Sequence, residues 1–181
     1  MSGDGKGQLA EHHIGVHSSL RDPRAQIRLI HFNPKESGDS ISASLETCDI
    51  KSAPPYNAIS YASDEPSDRQ TITVNGTRIP VHRNCLHALR QAFLHYPHDY
   101  LWIDAICVNQ LDLDGKAAQN AVRNEIYAKA SLVLACIGPS DAFVRTAHEL
   151  YGTAIFQGTP KWGDTEQEGV WTVDMHTWSF T

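Results

Sequence analysis

The chain has 181 residues, a net charge of −6 at neutral pH and 41% hydrophobic residues. This length and composition are typical of a soluble protein with one domain-sized hydrophobic core. The negative charge argues against nonspecific binding to nucleic acid or to anionic membranes. No stretch approaches the roughly 18 apolar residues of a membrane span.

Residues 1–24 have no hydrophobic period and are rich in Gly, Ser and His. They lack the apolar core of a secretion signal, so we predict a flexible leader and a cytoplasmic protein. No metal site is predicted in the leader, because flexible segments do not hold ligands in a fixed geometry. Three of the four cysteines lie in or beside apolar runs and none forms a Cys-x-x-Cys pair, which indicates buried, reduced thiols.

The first half of the remaining chain has the pattern of short, mostly antiparallel strands. Strands are predicted at 27–32, 40–50 and 56–62 from their apolar alternation. The next two strand-like runs flank Asn75-Gly76, a dipeptide that favours a hairpin with a type I′ turn. A helix then follows with Asn84 as its N-cap, Leu86, Leu89 and Phe93 on one face, and Pro97 just past its end.

The second half alternates strands and helices. Apolar runs at 100–107 and 131–138 predict buried strands, with a helix over 116–130 between them and a third helix over 141–155. This order implies parallel neighbours. We therefore predict an α/β domain over residues 25–156 with a mixed, partly parallel sheet flanked by helices. Residues 157–181 are interpreted as a C-terminal segment that forms a lid or begins a further region.

A cluster of polar groups follows the first of these buried strands. Asp104 lies within the apolar run, and Cys107, Asn109 and Gln110 follow it. Ligands of open α/β sheets bind beyond the carboxyl ends of the strands, and a charge in a buried strand is costly unless it is paired. Asp104 is predicted to be at least mostly buried and hydrogen-bonded, and either to bind backbone N–H groups that fix the loop or to face a cleft and handle a ligand.

A second carboxylate, Glu125, lies on the following helix. It shares a helix face with Ala117, Ala121 and Ala128. The three small side chains indicate either the floor of a cleft around Glu125 or a helix packed closely against a neighbour, with Glu125 at the rim.

The order of these blocks resembles the fungal heterokaryon-incompatibility (HET) domain. The blocks that carry the resemblance are "YNAISYA", "YLWIDAICVNQ", "QNAVRNEIYAKA" and "LVLACIG". Members of this family show an aliphatic-Ser-Tyr-x-Trp-Gly motif, then Leu-Trp-Ile-Asp-x-x-Cys-Ile-Asn-Gln, then a helix with Glu-Ile-Tyr-x-x-Ala. The resemblance covers residues 27–139. One departure is Ser63-Asp64, which stands where the family has Trp-Gly.

The resemblance implies a set of site residues that this chain retains. They are Ser60, Tyr61, Asp104, Cys107, Asn109, Gln110, Glu125 and Tyr127. It also implies an effector domain in fungal non-self recognition that promotes a cell-death response and works with protein partners or by self-association.

Two enzymatic alternatives stay open. The family layout is similar to Toll/interleukin-receptor (TIR) and nucleoside-transferase folds. By that analogy Glu125 and Asp104 are candidate catalytic residues of an NAD glycohydrolase, with NAD as substrate and a nucleotide as ligand. The other alternative is an enzyme with Cys107 as nucleophile and a histidine from the same half of the chain as base.

Overall fold

The computed structural model describes residues 15–33, 41–61, 68–139, 161–162 and 168–173. Its strands are β1 (Gln26–Phe32), β2 (Ser42–Asp49), β3 (Tyr56–Tyr61), β4 (Arg69–Val74), β5 (Thr77–His82), β6 (Tyr100–Trp102), β7 (Leu132–Pro139), β8 (Lys161–Trp162) and β9 (Glu168–Val173). Its helices are α1 (Arg83–His95), α2 (Asp104–Cys107), α3 (Leu113–Ala121) and α4 (Arg123–Lys129), with a 3-10 turn at Ile50–Ser52.

The strands form one mixed sheet in the order β5-β4-β2-β1-β6-β3-β7-β9-β8. β1 pairs antiparallel with both β2 and β6, whereas β6, β3 and β7 run parallel to one another. The predicted α/β class with a mixed, partly parallel sheet is therefore confirmed. β6 lies between its antiparallel neighbour β1 and its parallel neighbour β3.

The predicted hairpin is β4 and β5, joined at Asn75-Gly76. Asn75 has a φ of 51° and Gly76 a φ of 73°. A type I′ turn requires positive φ at both central residues, and asparagine and glycine adopt it at the lowest cost. The turn prediction is confirmed by this backbone geometry.

The helix α1 packs against the sheet through an apolar face. Its buried side chains include Leu86 and Leu89, and the ring of Phe93 contacts that of Phe32 with centroids 5.0 Å apart. The predicted N-cap was wrong, because the helix begins two residues earlier than predicted, with His82 as its N-cap and Asn84 within the first turn.

Two elements of the second half differ from their predictions. The strand predicted over 100–107 ends at Trp102, and the remaining residues form the helical turn α2. The helix predicted over 116–130 is two helices, since Val122 has φ −102° and ψ 6° and interrupts the α-helical path. The helix predicted over 141–155 lies outside the described residues.

The described part of the predicted leader packs on the sheet. Val16 is 2% exposed, and the side-chain amide of Asn75 donates to its carbonyl oxygen at 3.2 Å. A flexible segment was therefore the wrong prediction for residues 15–24, which we call the N-terminal strap. At the other end, residues 168–173 of the predicted C-terminal segment form β9, which pairs with β7. Among the described residues, no helix combines the length and the apolar character needed to cross a bilayer.

Candidate functional site

Six side chains come together at the carboxyl ends of the parallel strands β3 and β6, and we call them the edge cluster. They are Ser60, Tyr61, Cys85, Asp104, Arg123 and Tyr127. β3 supplies the first two, α1 supplies the cysteine, α2 the aspartate, and α4 the last two. The carboxyl edge of parallel strands is where open α/β sheets bind their ligands.

Asp104 and Arg123 form an ion pair at the mouth of this cluster. Asp104 Oδ2 lies 3.1 Å from Arg123 Nη2, and the two side chains are 37% and 47% exposed. The prediction that Asp104 is hydrogen-bonded is confirmed by the bond that Arg123 donates, but the Asp104 side chain is only partly buried. Because β6 ends at Trp102, the turn of α2 carries the carboxylate out of the sheet to a position that solvent reaches.

Tyr127 holds Arg123 against the sheet. The Arg123 guanidinium lies 5.8 Å from the centroid of the Tyr127 ring, a distance that allows a cation–π contact. The ring packs edge-on against Trp102 with centroids 5.3 Å apart. The hydroxyl donates to Ile59 O at 3.3 Å, and burial raises the pKa of Tyr127. The phenol therefore stays protonated at neutral pH and acts as a hydrogen-bond donor.

Ser60 and Tyr61 extend the cluster to both faces of the sheet. Successive residues of a strand point to opposite faces. Ser60 hydrogen-bonds to Tyr127 on the α4 side, and Tyr61 to Cys85 on the α1 side. Burial raises the pKa of the Tyr61 hydroxyl, and it raises the pKa of the Cys85 thiol to about 12. Both groups are therefore neutral at physiological pH.

Cys107 lies in the core and not at the surface of the cluster. Its side chain is 0% exposed, and its sulfur accepts a hydrogen bond from Ile103 N at 3.4 Å. Burial raises the pKa of the thiol to about 12. A nucleophilic cysteine needs an accessible thiolate, so this environment argues against the cysteine-nucleophile alternative.

The two amides of the motif shape the turn that follows α2. Gln110 Nε2 donates to Asp104 O at 3.0 Å and to Val108 O at 3.2 Å. Asn109 Oδ1 accepts from Leu111 N at 3.1 Å. These bonds satisfy main-chain groups at the helix ends. These contacts of Asn109 and Gln110 position the loop.

Glu125 lies on the other side of α4 from Asp104. Arg123 faces Asp104, and residues two apart on a helix are separated by about 200°. Glu125 is exposed and lines a cavity of about 500 Å³ together with charged side chains that include Arg24, Asp49 and Lys51. The structure therefore does not bring the two proposed catalytic carboxylates together.

The alanines that share the predicted face with Glu125 do not pack against a neighbour. Ala117, Ala121 and Ala128 are all exposed. The interruption at Val122 separates the first two from Glu125, so the predicted continuous face does not exist.

Sequence reasoning missed Arg123 and Cys85. Asp104 lies 19 residues before Arg123, and Tyr61 lies well before Cys85 on another element, so no local pattern identifies these two contacts. Ser63 and Asp64, the departure from the family motif, lie outside the described residues, and the effect of this departure stays a prediction.

Comparison with known proteins gives two matches. The family model described as Heterokaryon incompatibility protein (HET) matches residues 56–178. The chain is 33% identical over 138 residues to "Heterokaryon incompatibility protein 6, OR allele" of Neurospora crassa, with 67% of this chain and 20% of that protein covered. The chain thus spans 20% of the length of this curated relative. No solved structure matches it.

Proposed function

Because the chain belongs to the heterokaryon incompatibility (HET) family, we propose that it acts as an effector domain in fungal non-self recognition and promotes a cell-death response when incompatible cells fuse. The observation that carries this proposal is the family match over residues 56–178, a range that contains the whole edge cluster. The Neurospora crassa relative, which is named for heterokaryon incompatibility, supports it.

The edge cluster supports an effector that works by assembly with a protein partner or with a second copy of the domain. It presents a half-exposed guanidinium, held between a carboxylate and a tyrosine ring. Arginine and tyrosine are the residue types that dominate binding energy at protein interfaces. Since Arg123 is already held in place by Asp104 and Tyr127, it loses little side-chain freedom when a partner binds.

A cytoplasmic location forms part of this proposal. All four cysteines are free, and three of them are buried. Reduced thiols are typical of proteins that stay in the reducing compartment of the cell.

The NAD-cleaving alternative remains a prediction from the family analogy. It assigns a joint role to Asp104 and Glu125, which lie on opposite sides of α4, and the described geometry therefore does not favour it over assembly. Incubation of the purified protein with NAD, followed by measurement of released nicotinamide, tests this alternative directly.

The assembly proposal is tested by inducible expression in a fungal host. We expect the wild-type chain to reduce viability and Arg123→Ala to lose this effect, because the exposed cation at the centre of the cluster is removed. Arg90→Ala is the matched control, since Arg90 is an exposed arginine on α1. Protein levels are compared by immunoblot. Equal toxicity of wild-type and Arg123→Ala chains at equal abundance contradicts the assigned role of the cluster, and a harmless wild-type chain contradicts the effector function.

A further inference from the structure

The N-terminal strap, residues 15–24, contacts the turn that carries Asp104. His17 Nε2 lies 2.6 Å from Ile106 O, so this ring nitrogen donates a hydrogen bond to the main chain of α2. Ile106 belongs to the same helical turn as Asp104. The strap thus binds directly to the element that positions one half of the Asp104–Arg123 ion pair.

Arg28 on β1 links the strap to α2 through hydrogen bonds to both. It is only 4% exposed, and it donates to Ser18 O at 2.6 Å and to Cys107 O at 3.1 Å. Its Nε has no hydrogen-bond partner among the described residues. A buried guanidinium is costly unless its donors are satisfied. Arg28 therefore stabilises this region chiefly while both carbonyl oxygens stay in place.

The strap also binds α3, the helix that follows the loop of residues 108–112, which we call the motif loop. Gln119 on α3 is 2% exposed, and its Nε2 donates to Pro23 O and, at 2.8 Å, to Gln26 O. α2 precedes the loop and α3 follows it. The strap and the adjacent start of β1 therefore bind the helices on both sides of the loop that contains Asn109 and Gln110, α2 through His17 and α3 through Gln119.

α2 is short enough to move as a unit. It has four residues, and its end is tied to its start by a hydrogen bond from Val108 N to Asp104 O at 3.2 Å. A displacement of the Ile106 and Cys107 carbonyls therefore displaces Asp104 as well. Since Arg123 belongs to a separate helix, such a displacement changes the ion pair.

We propose that the N-terminal strap is a positioning element of the edge cluster: docked through His17 and Arg28, it sets α2 so that Asp104 meets Arg123, and its release disorganises the cluster. The consequence for cell death rests on the proposed effector function. The structural part does not, because it concerns only the order of α2.

The test uses the full chain with two variants, His17→Phe and Arg28→Met. Each removes the donors and retains a side chain of similar size. The controls are His98→Phe and Arg78→Met, which change an exposed histidine after α1 and an exposed arginine on β5. Amide hydrogen exchange is measured at Ile106 to Val108 and compared with exchange at Val133 to Cys136 of β7, which pairs with β3 and β9 and not with the strap.

We expect exchange in α2 to rise at least ~10-fold in both variants, since each loses hydrogen bonds to buried main-chain groups. Exchange in β7 should stay within about 2-fold of wild type, and the controls should match wild type at both places. Unchanged exchange in α2, or an equal rise across the whole chain, overturns the proposal. If Arg28→Met does not fold, His17→Phe alone decides.

Toxicity in the fungal host separates this proposal from the effector function. Loss of toxicity together with faster exchange in α2 supports both. Full toxicity despite a loosened α2 overturns the consequence drawn for cell death, whereas the ordering of α2 by the strap stands. If the wild-type chain is harmless, the effector function fails, whereas the exchange measurement still decides whether the strap orders α2.

Discussion

Asp104 and Arg123 are 19 residues apart in the chain, yet their side chains form an ion pair with 3.1 Å between Oδ2 and Nη2. The pair joins the first residue of α2 to the first residue of α4. It therefore fixes the relative position of two helices that enclose the motif loop and α3.

Asp104→Asn should remove the charge of this pair at little cost in stability. Exposed ion pairs contribute about 0–1 kcal/mol, so we expect the free energy of unfolding to fall by less than about 1 kcal/mol. Chemical denaturation measures this change. Toxicity in the fungal host should nevertheless fall, because the orientation of Arg123 is lost.

Asp68→Asn is the control for this prediction. Asp68 pairs with Arg83 at 3.2 Å, and its side chain is 37% exposed, as that of Asp104 is. The free energy of unfolding of Asp68→Asn should change as little as that of Asp104→Asn, while the toxicity of Asp68→Asn stays at the wild-type level. A loss of several kcal/mol in Asp104→Asn alone would show that the carboxylate has the buried structural role first predicted from sequence.

The thiols should differ sharply in their reaction with a disulfide reagent. Burial raises the pKa values of Cys85, Cys107 and Cys136 to about 12, and Cys48 is the only cysteine that is not fully buried. At pH 8 a thiol with a pKa of about 12 has a thiolate fraction on the order of 10⁻⁴. We expect the folded protein to react at Cys48 first, and all four cysteines to react in denaturant.

Mass spectrometry of the labelled protein identifies the reacting site. Fast labelling of Cys107 in the folded protein is the contrary result, and it would restore the cysteine-nucleophile alternative. Cys48→Ser is the control that should abolish the fast phase.

The strap should contribute to stability. A chain that begins at residue 25 loses the buried Val16 and the hydrogen bond to Ile106. Compared with a chain that begins at residue 15, its free energy of unfolding should be lower by at least about 2 kcal/mol. Urea denaturation of the two chains measures the difference, and equal midpoints would mean that residues 15–24 add no stability.

The folding unit should extend beyond the family match. The match begins at residue 56, but β1 and β2 precede it, and β1 is the neighbour of β6 in the sheet. A chain that begins at residue 56 should therefore lack a cooperative thermal transition, because the buried Leu101 and Trp102 become accessible along β6. A sharp transition in calorimetry, similar to that of the chain from residue 15, is the opposing outcome.

The strands and the hairpin could be predicted because their signals are local. Alternation of apolar residues locates β1 and β2, and the Asn75-Gly76 dipeptide specifies the turn geometry. The end of β6 could not be predicted in this way. Ile103 and Ile106 are both buried, although one is extended and the other helical, so the apolar run looks the same in either conformation.

The candidate site was predictable only in part. The motif was predicted to reach the carboxyl edge of the sheet at Cys107, with Asp104 on the strand, whereas the structure has Asp104 in α2, beyond the end of β6. The partner Arg123 could not be deduced, because the contact depends on how α3 and α4 fold back across the sheet. The interruption at Val122 also has no sequence signal, since valine is common in helices, and it alone invalidates the face assigned to Glu125.

The placement of β6 has a consequence for synthesis on the ribosome. β1 and β2 emerge early and pair with each other. The other edge of β1 stays unpaired until β6 is synthesised, because Ile30 pairs with Leu101. Until then the nascent chain presents an unpaired strand edge, the kind of surface that recruits other chains. Closure over such a long separation is slow. We therefore expect the growing polypeptide to be most prone to association with other chains while the residues between β2 and β6 are being synthesised.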